Sequence, residues 1–320
     1  MSSPTMMPMS LTEIAQAVDG RLMPTTVPTD EPVAISAFTD SRQIVPGSVF
    51  VAIAGERVDG HDFVPKVGAQ GAVAALVDHE IAGAQVPQIV VENTVKALGA
   101  LAKHNIERRR ALESPFTVIG ITGSYGKTSV KFILGTILQE KYQTLITPSS
   151  FNTPMGVTKI IRERLTPATQ VFVAEMGARH VGDIKELCRL VHPRYGVLTS
   201  VGPQHLDTFH TLERIKNTKY ELMDAVPADG CCFFPDDGAI CRELYDRTEK
   251  EKRLCCLHYS PDADVWATDV TVSSMGSRFV LHTSAEEIAC ETRLLGEHNI
   301  QNILLAATVA LHLGLTMRQG

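Results

Sequence analysis

One stretch restricts the folds open to this chain more than any other. Thr117, Val118, Ile119, Gly120 and Ile121 read as a short buried strand, and Gly123, Ser124, Tyr125 and Gly126 as a glycine-punctuated loop ending in Lys127 and Thr128. Val130, Ile133, Leu134, Ile137 and Leu138 then recur at three-and-four spacing, which places them on one face of a helix packed against the sheet that holds the strand. Strand, glycine loop, Lys-Thr and helix is the order that a phosphate-binding loop requires.

The reason is local chemistry. A helix start carries unpaired N–H groups and a partial positive charge, and both stabilise an anion placed there. Glycine lets the backbone curl round a phosphate, Lys127 reaches the outer phosphates as a point charge, and the Thr128 hydroxyl suits an accompanying Mg²⁺. The spacing departs from the standard loop, since Ile121 stands five residues before Gly126 and the nearby glycines are Gly120 and Gly123. The plainer alternative is an ordinary strand-to-helix turn with a solvated lysine.

A net charge of −6 shows no basic surplus of the kind a nucleic-acid binder carries, so phosphate affinity has to come from a few placed groups. The first basic residue is Arg21 and no apolar run has the length of a membrane span, so a cytoplasmic chain without membrane insertion is expected. The seven cysteines include the adjacent pairs Cys231-Cys232 and Cys255-Cys256 but no C-x-x-C, which fits reduced thiols serving as small apolar residues in strands.

At 320 residues two domains are expected. Residues 1–113 read as a small α/β domain. It has a capped helix start at Ser10-Leu11-Thr12-Glu13, strands over Val33–Phe38, Ser48–Ala54, Ala72–Val77 and Ile89–Val91, and helices over His61–Gly68 and Val95–Arg109. Asp40-Ser41-Arg42 is either a surface turn or a grip for uracil or diphosphate, and His61 with Asp62 reads as a helix cap.

Ser114-Pro115 marks a boundary, and residues 114–320 form the second domain. Alternating strands and helices there predict a mostly parallel sheet covered by helices, with ligands at the carboxyl ends of its strands. Lys127, Glu175 and His205 each follow a predicted strand. The carboxylate is the better Mg²⁺ partner because the ion is hard, though a strand-end Glu can also be a helix cap. Residues 265–273, 278–283 and 288–294 alternate as antiparallel strands, and a buried helix runs over Ile300–Leu313.

Several segments, in order and spacing, resemble the Mur ligase family. They are Gly123-Ser-Tyr-Gly-Lys-Thr-Ser129, Ala174-Glu-Met-Gly-Ala-Arg-His-Val-Gly-Asp-Ile184, His205-Leu-Asp207, Asn217-Thr-Lys-Tyr-Glu-Leu222 and Gly296-Glu-His-Asn-Ile-Gln-Asn302. Upstream, Asp40-Ser-Arg42, the run from Pro46 to Ala52 and Asp59-Gly-His-Asp-Phe63 look like that family's uridine-nucleotide domain. Within the family, GSYGKTS and EMGARHVGDI are most similar to the branch that adds D-alanyl-D-alanine to UDP-N-acetylmuramoyl-tripeptide. The third-residue-adding branch, folylpolyglutamate-type ligases and a non-catalytic nucleotide-binding module are the alternatives.

The resemblance implies an ATP-dependent amide ligase working through an acyl phosphate, and a monomer is expected. It implies an ATP site at Gly123, Ser124, Tyr125, Gly126, Lys127, Thr128 and Ser129, with Asn299 and Asn302 near the base. Thr128 and Glu175 would hold one Mg²⁺ and His205 a second. Ser41, Arg42, Asn152, Thr153 and Arg179 would meet the UDP substrate. Lys219 matches a lysine that several members carry as a carbamate, and Lys216 is a rival one turn away. Lys127, Lys219 and His205 would be the catalytic set. Family members also carry a third, carboxyl-terminal domain, and nothing after Leu313 is long enough to supply it. A truncated chain or incomplete reading frame is therefore expected, with weak ligand binding and no turnover on its own.

Overall fold

The structure is a computed structural model that describes residues 6–149, 151–203 and 206–319, and it contains two compact units. The first comprises residues 1–113 together with 158–168, and the second residues 114–157 and 169–320. A single cut at residue 113 misses the returning segment.

In the first unit the elements are α1 (Leu11–Ala17), β1 (Arg21–Leu22), β2 (Ser36–Phe38), β3 (Ser48–Val51), α2 (Val64–Val67), β4 (Ala72–Val77), β5 (Gln88–Val90) and α3 (Thr94–Arg110). The five strands form one sheet in the order β1-β5-β4-β3-β2, parallel except where β1 pairs with β5. Side chains alternate across β3. Val49 and Val51 pack with Leu11 and Ile14 of α1 and Leu98 and Leu101 of α3, while Phe50 and Ala52 pack with Val64 and Val67 of α2.

The expected cap of α1 is present, since Ser10 Oγ accepts from Glu13 N at 3.1 Å. The Glu13 carboxylate turns to α3, where it meets His104 Nε2 at 3.0 Å and Arg108 Nε at 3.1 Å. The returning segment is bonded in place: Asn105 Nδ2 donates to Ile161 O at 3.0 Å and Arg162 Nη1 to Ala37 O at 2.7 Å. The helix expected over His61–Gly68 is a 3₁₀ turn, Gly60–Phe63, followed by the single turn α2. Asp59 caps that turn, and His61 is buried beneath it.

The second unit runs β6 (Thr117–Thr122), α4 (Lys127–Gln139), β7 (Thr144–Ile146), α5 (Pro154–Arg164), β8 (Val171–Glu175), α6 (Asp183–Val191), β9 (Tyr195–Leu198), α7 (Leu206–Phe209), α8 (Leu212–Ala225), β10 (Cys231–Pro235), α9 (Ala239–Arg247), β11 (Lys252–Cys256), β12 (Val265–Ser273), β13 (Gly276–His282), β14 (Glu287–Thr292) and α10 (Glu297–His312), with the end of α5 counted in the first unit. The sheet order is β14-β13-β12-β11-β10-β9-β6-β8-β7. From β7 to β12 it is parallel, and the antiparallel β12, β13 and β14 extend that same sheet through the β11–β12 pairing. The sequence had no helix at 239–247.

On one face Ile119, Ile121, Val173 and Val197 pack under α4 and α10. On the other, Gly120 and Gly196 pair side by side on β6 and β9, and Leu222 of α8 descends onto both. A Cβ on Gly120 would stand 2.7 Å from Leu222 Cδ1, so the two hydrogens set how close α8 comes to the sheet. All seven cysteines are free thiols and six are buried. Burial pushes Cys188, Cys231, Cys232 and Cys256 up to about 12, which keeps them neutral.

Candidate functional site

The carboxyl ends of β6, β8 and β9 meet at the loop before α4. Gly126 caps that helix at φ +82°, a left-handed turn that favours glycine. Gly123 has φ +153°, and a Cβ there would lie 2.0 Å from Thr199 Oγ1, so no other residue fits. The loop is clamped from the β9 end. Ser124 N donates to Ser200 O at 2.9 Å, Tyr125 N to Ser200 Oγ at 2.9 Å, and Ser124 Oγ to Gly202 O at 3.0 Å. Tyr125 keeps an exposed ring whose hydroxyl donates to Pro203 O at 3.1 Å, and Ser129 is exposed on the first turn of α4.

Lys127 folds back over this loop, its Nζ donating to Gly123 O at 2.8 Å and more weakly to Ser124 O at 3.4 Å. Burial lowers its pKa and the Glu175 carboxylate opposes that shift. These carbonyl contacts hold the ammonium in the concavity that the loop encloses.

Glu175, at the end of β8 and only 1% exposed, is the hub. Thr128 Oγ1 lies 3.1 and 3.0 Å from its two oxygens, Asn152 Nδ2 donates to Oε1 at 3.0 Å, and Lys131 Nζ donates to Oε2 at 2.8 Å. Its own N–H donates to Thr147 Oγ1 at 3.1 Å, which fixes the strand end. Lys131 also donates to Ser149 O and is fully buried. The sequence reading missed Lys131. The available signal was its position four residues after Lys127 and three before Leu134, inside the apolar stripe of α4 rather than beside it.

This donor set suits Mg²⁺. Cis ligands on an octahedral ion with bonds of about 2.0–2.1 Å stand about 2.9 Å apart, close to the 3.0 and 3.1 Å between Thr128 Oγ1 and the Glu175 oxygens. All three are hard oxygens. Lys131 on Oε2 offsets part of the buried charge, while Oε1 accepts from the neutral Asn152.

Of the two candidate lysines on α8, the structure separates their environments. Lys216 Nζ is paired with Glu213 at 2.8 Å and Glu243 at 2.7 Å. Lys219 is 2% exposed, and among the described residues its ammonium has no hydrogen-bond or ion-pair partner. Burial, with the Lys127 charge adding to it, brings its pKa down to about 8, against the weaker pull of Asp183 and Glu221. Lys219 and Lys127 are thus neighbours in the electrostatic sense.

Asn302, on α10, sits against the loop, its Oδ1 2.9 Å from where a Gly126 Cβ would stand. Asn299 instead faces outward, its Nδ2 donating to Leu295 O at 2.8 Å. Thr153 is exposed, and its Oγ1 accepts from Gly156 N at 3.3 Å at the start of α5. Arg179 is exposed, and its backbone N–H donates to Asp183 Oδ2 at 2.8 Å. His205 lies outside the described residues. The structure thus brings Lys127, Thr128, Asn152, Glu175 and Lys131 together, with Asn302 at the loop and Lys219 close enough to sense its lysine.

In the first unit Ser41 and Arg42 occupy a 3₁₀ turn capped by Asp40. The Asp40 carboxylate accepts from Arg42 Nε at 2.9 Å and Nη2 at 2.7 Å, and these bonds from the guanidinium bring its pKa down to about 2. The turn itself is the surface arrangement that the bare sequence allows.

Comparison with known proteins follows the same division. Residues 37–106 match the Mur ligase family, catalytic domain, and residues 121–310 the Mur ligase middle domain. The UDP-N-acetylmuramoyl-tripeptide–D-alanyl-D-alanine ligase of Escherichia coli (strain K12) is 31% identical over 315 residues, which cover 98% of this chain and 66% of that protein. The chain thus spans 58% to 67% of the length of the curated relatives it matches. Among solved structures, MurF from Acinetobacter baumannii superposes with a TM-score of 0.86 at 31% identity, covering 98% of this chain and 67% of that one. The MurF ligase from Thermotoga maritima in complex with ADP gives 0.77 at 27% identity, covering 88% and 64%.

Proposed function

The chain belongs to the Mur ligase family, and we propose that it takes part in ATP-dependent joining of D-alanyl-D-alanine to UDP-N-acetylmuramoyl-tripeptide in the cytoplasm, as a monomer. The observation that carries this reading is the Thr128–Glu175 oxygen pair at 3.0 Å beside the Lys127 loop, in a chain 31% identical to a ligase of that name. The first unit is the UDP-substrate domain, with Ser41 and Arg42 in its site. The second is the ATP domain. No described helix is long and apolar enough to cross a membrane.

In this reading the triphosphate lies over the start of α4. Lys127 leaves the carbonyl oxygens of Gly123 and Ser124 for the outer phosphates, and the helix N–H groups take the remaining charge. The substrate carboxylate attacks the γ-phosphorus, ADP departs, and the resulting acyl phosphate loses inorganic phosphate when the dipeptide amine attacks the carbonyl carbon and gives up its proton. Mg²⁺ held by Thr128 and Glu175, with His205 as partner for a second ion, would offset the repulsion between the two anions. Asn152 and Thr153 would meet the carboxylate end of the substrate, Arg179 its peptide, and Asn302 rather than Asn299 the nucleotide base. Lys219, without a partner among the described residues and with a pKa of about 8, has a share of neutral amine at physiological pH. Addition of CO₂ to that amine, with loss of one proton, would give the carbamate expected from the family.

A coupled phosphate-release assay with UDP-N-acetylmuramoyl-tripeptide, ATP and each amine donor tests the reading. Release with D-alanyl-D-alanine would support the reading and set aside the expectation of no turnover. Release with diaminopimelate or lysine on the dipeptide precursor would move the chain to the third-residue-adding branch. No release with any donor, alongside measurable ATP binding, would favour the binding-module alternative. Lys127→Ala should abolish nucleotide binding, and unchanged affinity would remove the phosphate-loop assignment.

A further inference from the structure

A second constellation lies in the first unit. His61 is 4% exposed, and its Nδ1 is 2.7 Å from Asp59 Oδ1, which also accepts the His61 backbone N–H at 2.9 Å. That carboxylate holds the proton on Nδ1, so the Nε2 lone pair points the other way. Facing it at 3.1 Å is Asp78 Oδ1, just past the end of β4, so the two atoms can share either a proton on Nε2 or a metal ion. Among the described residues the N–H directed at Nε2 is that of Asp78, at a long 3.3 Å. His79 brings its Nδ1 to the same Asp78 oxygen, and its ring stacks on that of His61 with centroids 4.8 Å apart. Ligand atoms of His61, Asp78 and His79 all lie within 4.8 Å of one another.

We propose that His61, Asp78 and His79 form a binding site for a late first-row divalent cation of the zinc class, separate from the nucleotide-linked Mg²⁺. Two imidazole nitrogens and one carboxylate oxygen are the borderline donors that Zn²⁺, Co²⁺ and Ni²⁺ prefer, whereas Mg²⁺ and Ca²⁺ seek oxygen alone. Ligands of a tetrahedral ion with bonds of about 2.0–2.1 Å stand about 3.3 Å apart, near the 3.1 Å between Nε2 and Oδ1. Asp59 supplies the carboxylate that orients a metal-binding histidine from behind. His61 is the fixed ligand. Asp78 and His79 are 38% and 62% exposed, which gives the ion an entry path, leaves room for water in the fourth position, and allows the His79 ring to turn about its Cβ–Cγ bond. A bound ion would tie the end of β4 to the turn before α2.

The test titrates the whole chain with Co²⁺ in excess Mg²⁺ and follows the visible ligand-field bands, with Zn²⁺ displacement to give the affinity of the second ion. One equivalent is expected, without the near-ultraviolet band of thiolate ligation. His79→Ala, at an exposed position, should weaken binding about tenfold or more while the circular dichroism spectrum stays unchanged, and Asp78→Asn should do the same. Absence of binding would overturn the proposal. So would affinity unaffected by His79→Ala, or a thiolate band placing the ion on a cysteine such as Cys231, which lies near Glu251 and His312.

Discussion

Replacing Lys131 by Met should destabilise the second unit through charge rather than volume, because the two side chains are similar in size. Lys131 Nζ and Glu175 Oε2 are 2.8 Å apart with side-chain exposures of 0% and 1%, so removing the ammonium strands a carboxylate in the interior. Breaking a buried pair from one side costs about 3–5 kcal/mol. Thr128 and Asn152 still donate to the carboxylate, which places the cost near the lower end, at about 3 kcal/mol. With a urea slope of about 2 kcal/mol per molar, the midpoint should fall by about 1.5 M. Trp266 is the only tryptophan and lies on β12, so its fluorescence reports the unfolding of this unit. The double variant Lys131→Met/Glu175→Gln removes both charges and should recover about 2 kcal/mol of the loss. A single-variant loss below about 1 kcal/mol, or a double variant no more stable than the single, would refute the claim that the pair is coupled across a dry interior.

Lys219 should behave in the opposite way. Its pKa falls from 10.5 to about 8, so between those values the unfolded chain keeps a proton that the folded chain has lost, and stability rises with pH across that window. In CO₂-depleted buffer Lys219→Met should abolish that rise and raise stability at pH 7 by up to about 3 kcal/mol, read from urea midpoints at pH 7 and 10; a less stable variant at pH 7 would contradict this. Gly123→Ala should cost about 2–3 kcal/mol and eliminate nucleotide binding, since its Cβ has nowhere to go beside Thr199 and Ser200; calorimetry showing wild-type ATP affinity would count against the loop geometry. Arg42→Ala should leave the thermal midpoint unchanged, its guanidinium being 87% exposed, and weaken UDP-substrate binding; unaltered affinity would reduce the Asp40 turn to a surface feature.

The parts of the site written locally were legible in the sequence. Strand, glycines, Lys127 and helix are neighbours in the chain, and the order alone implies their geometry. Glu175 was found because strand ends collect at one edge of a parallel sheet. What stayed hidden depends on partners distant in sequence. Lys131 reads as one more lysine on a helix until Glu175, from a different strand, is seen opposite it. His61 reads as part of a cap, because nothing local says that Asp78 will approach from β4. That Lys216 is paired with Glu243 was equally hidden, since Glu243 belongs to a helix the sequence did not announce. The same holds for the antiparallel strands, whose alternation was plain but whose attachment through β11 was not.

The placement of residues 158–168 in the first unit has a consequence for how the protein is made. A ribosome releases the chain from its amino terminus, and domains generally fold as they emerge. Here the piece that supplies Arg162 to Ala37, and Ile161 to Asn105, appears only after the phosphate loop and β7 have left the exit tunnel. The leading domain must therefore wait, with a gap in its own structure, until a length of its successor has been synthesised. Biogenesis of the two halves is interleaved rather than sequential.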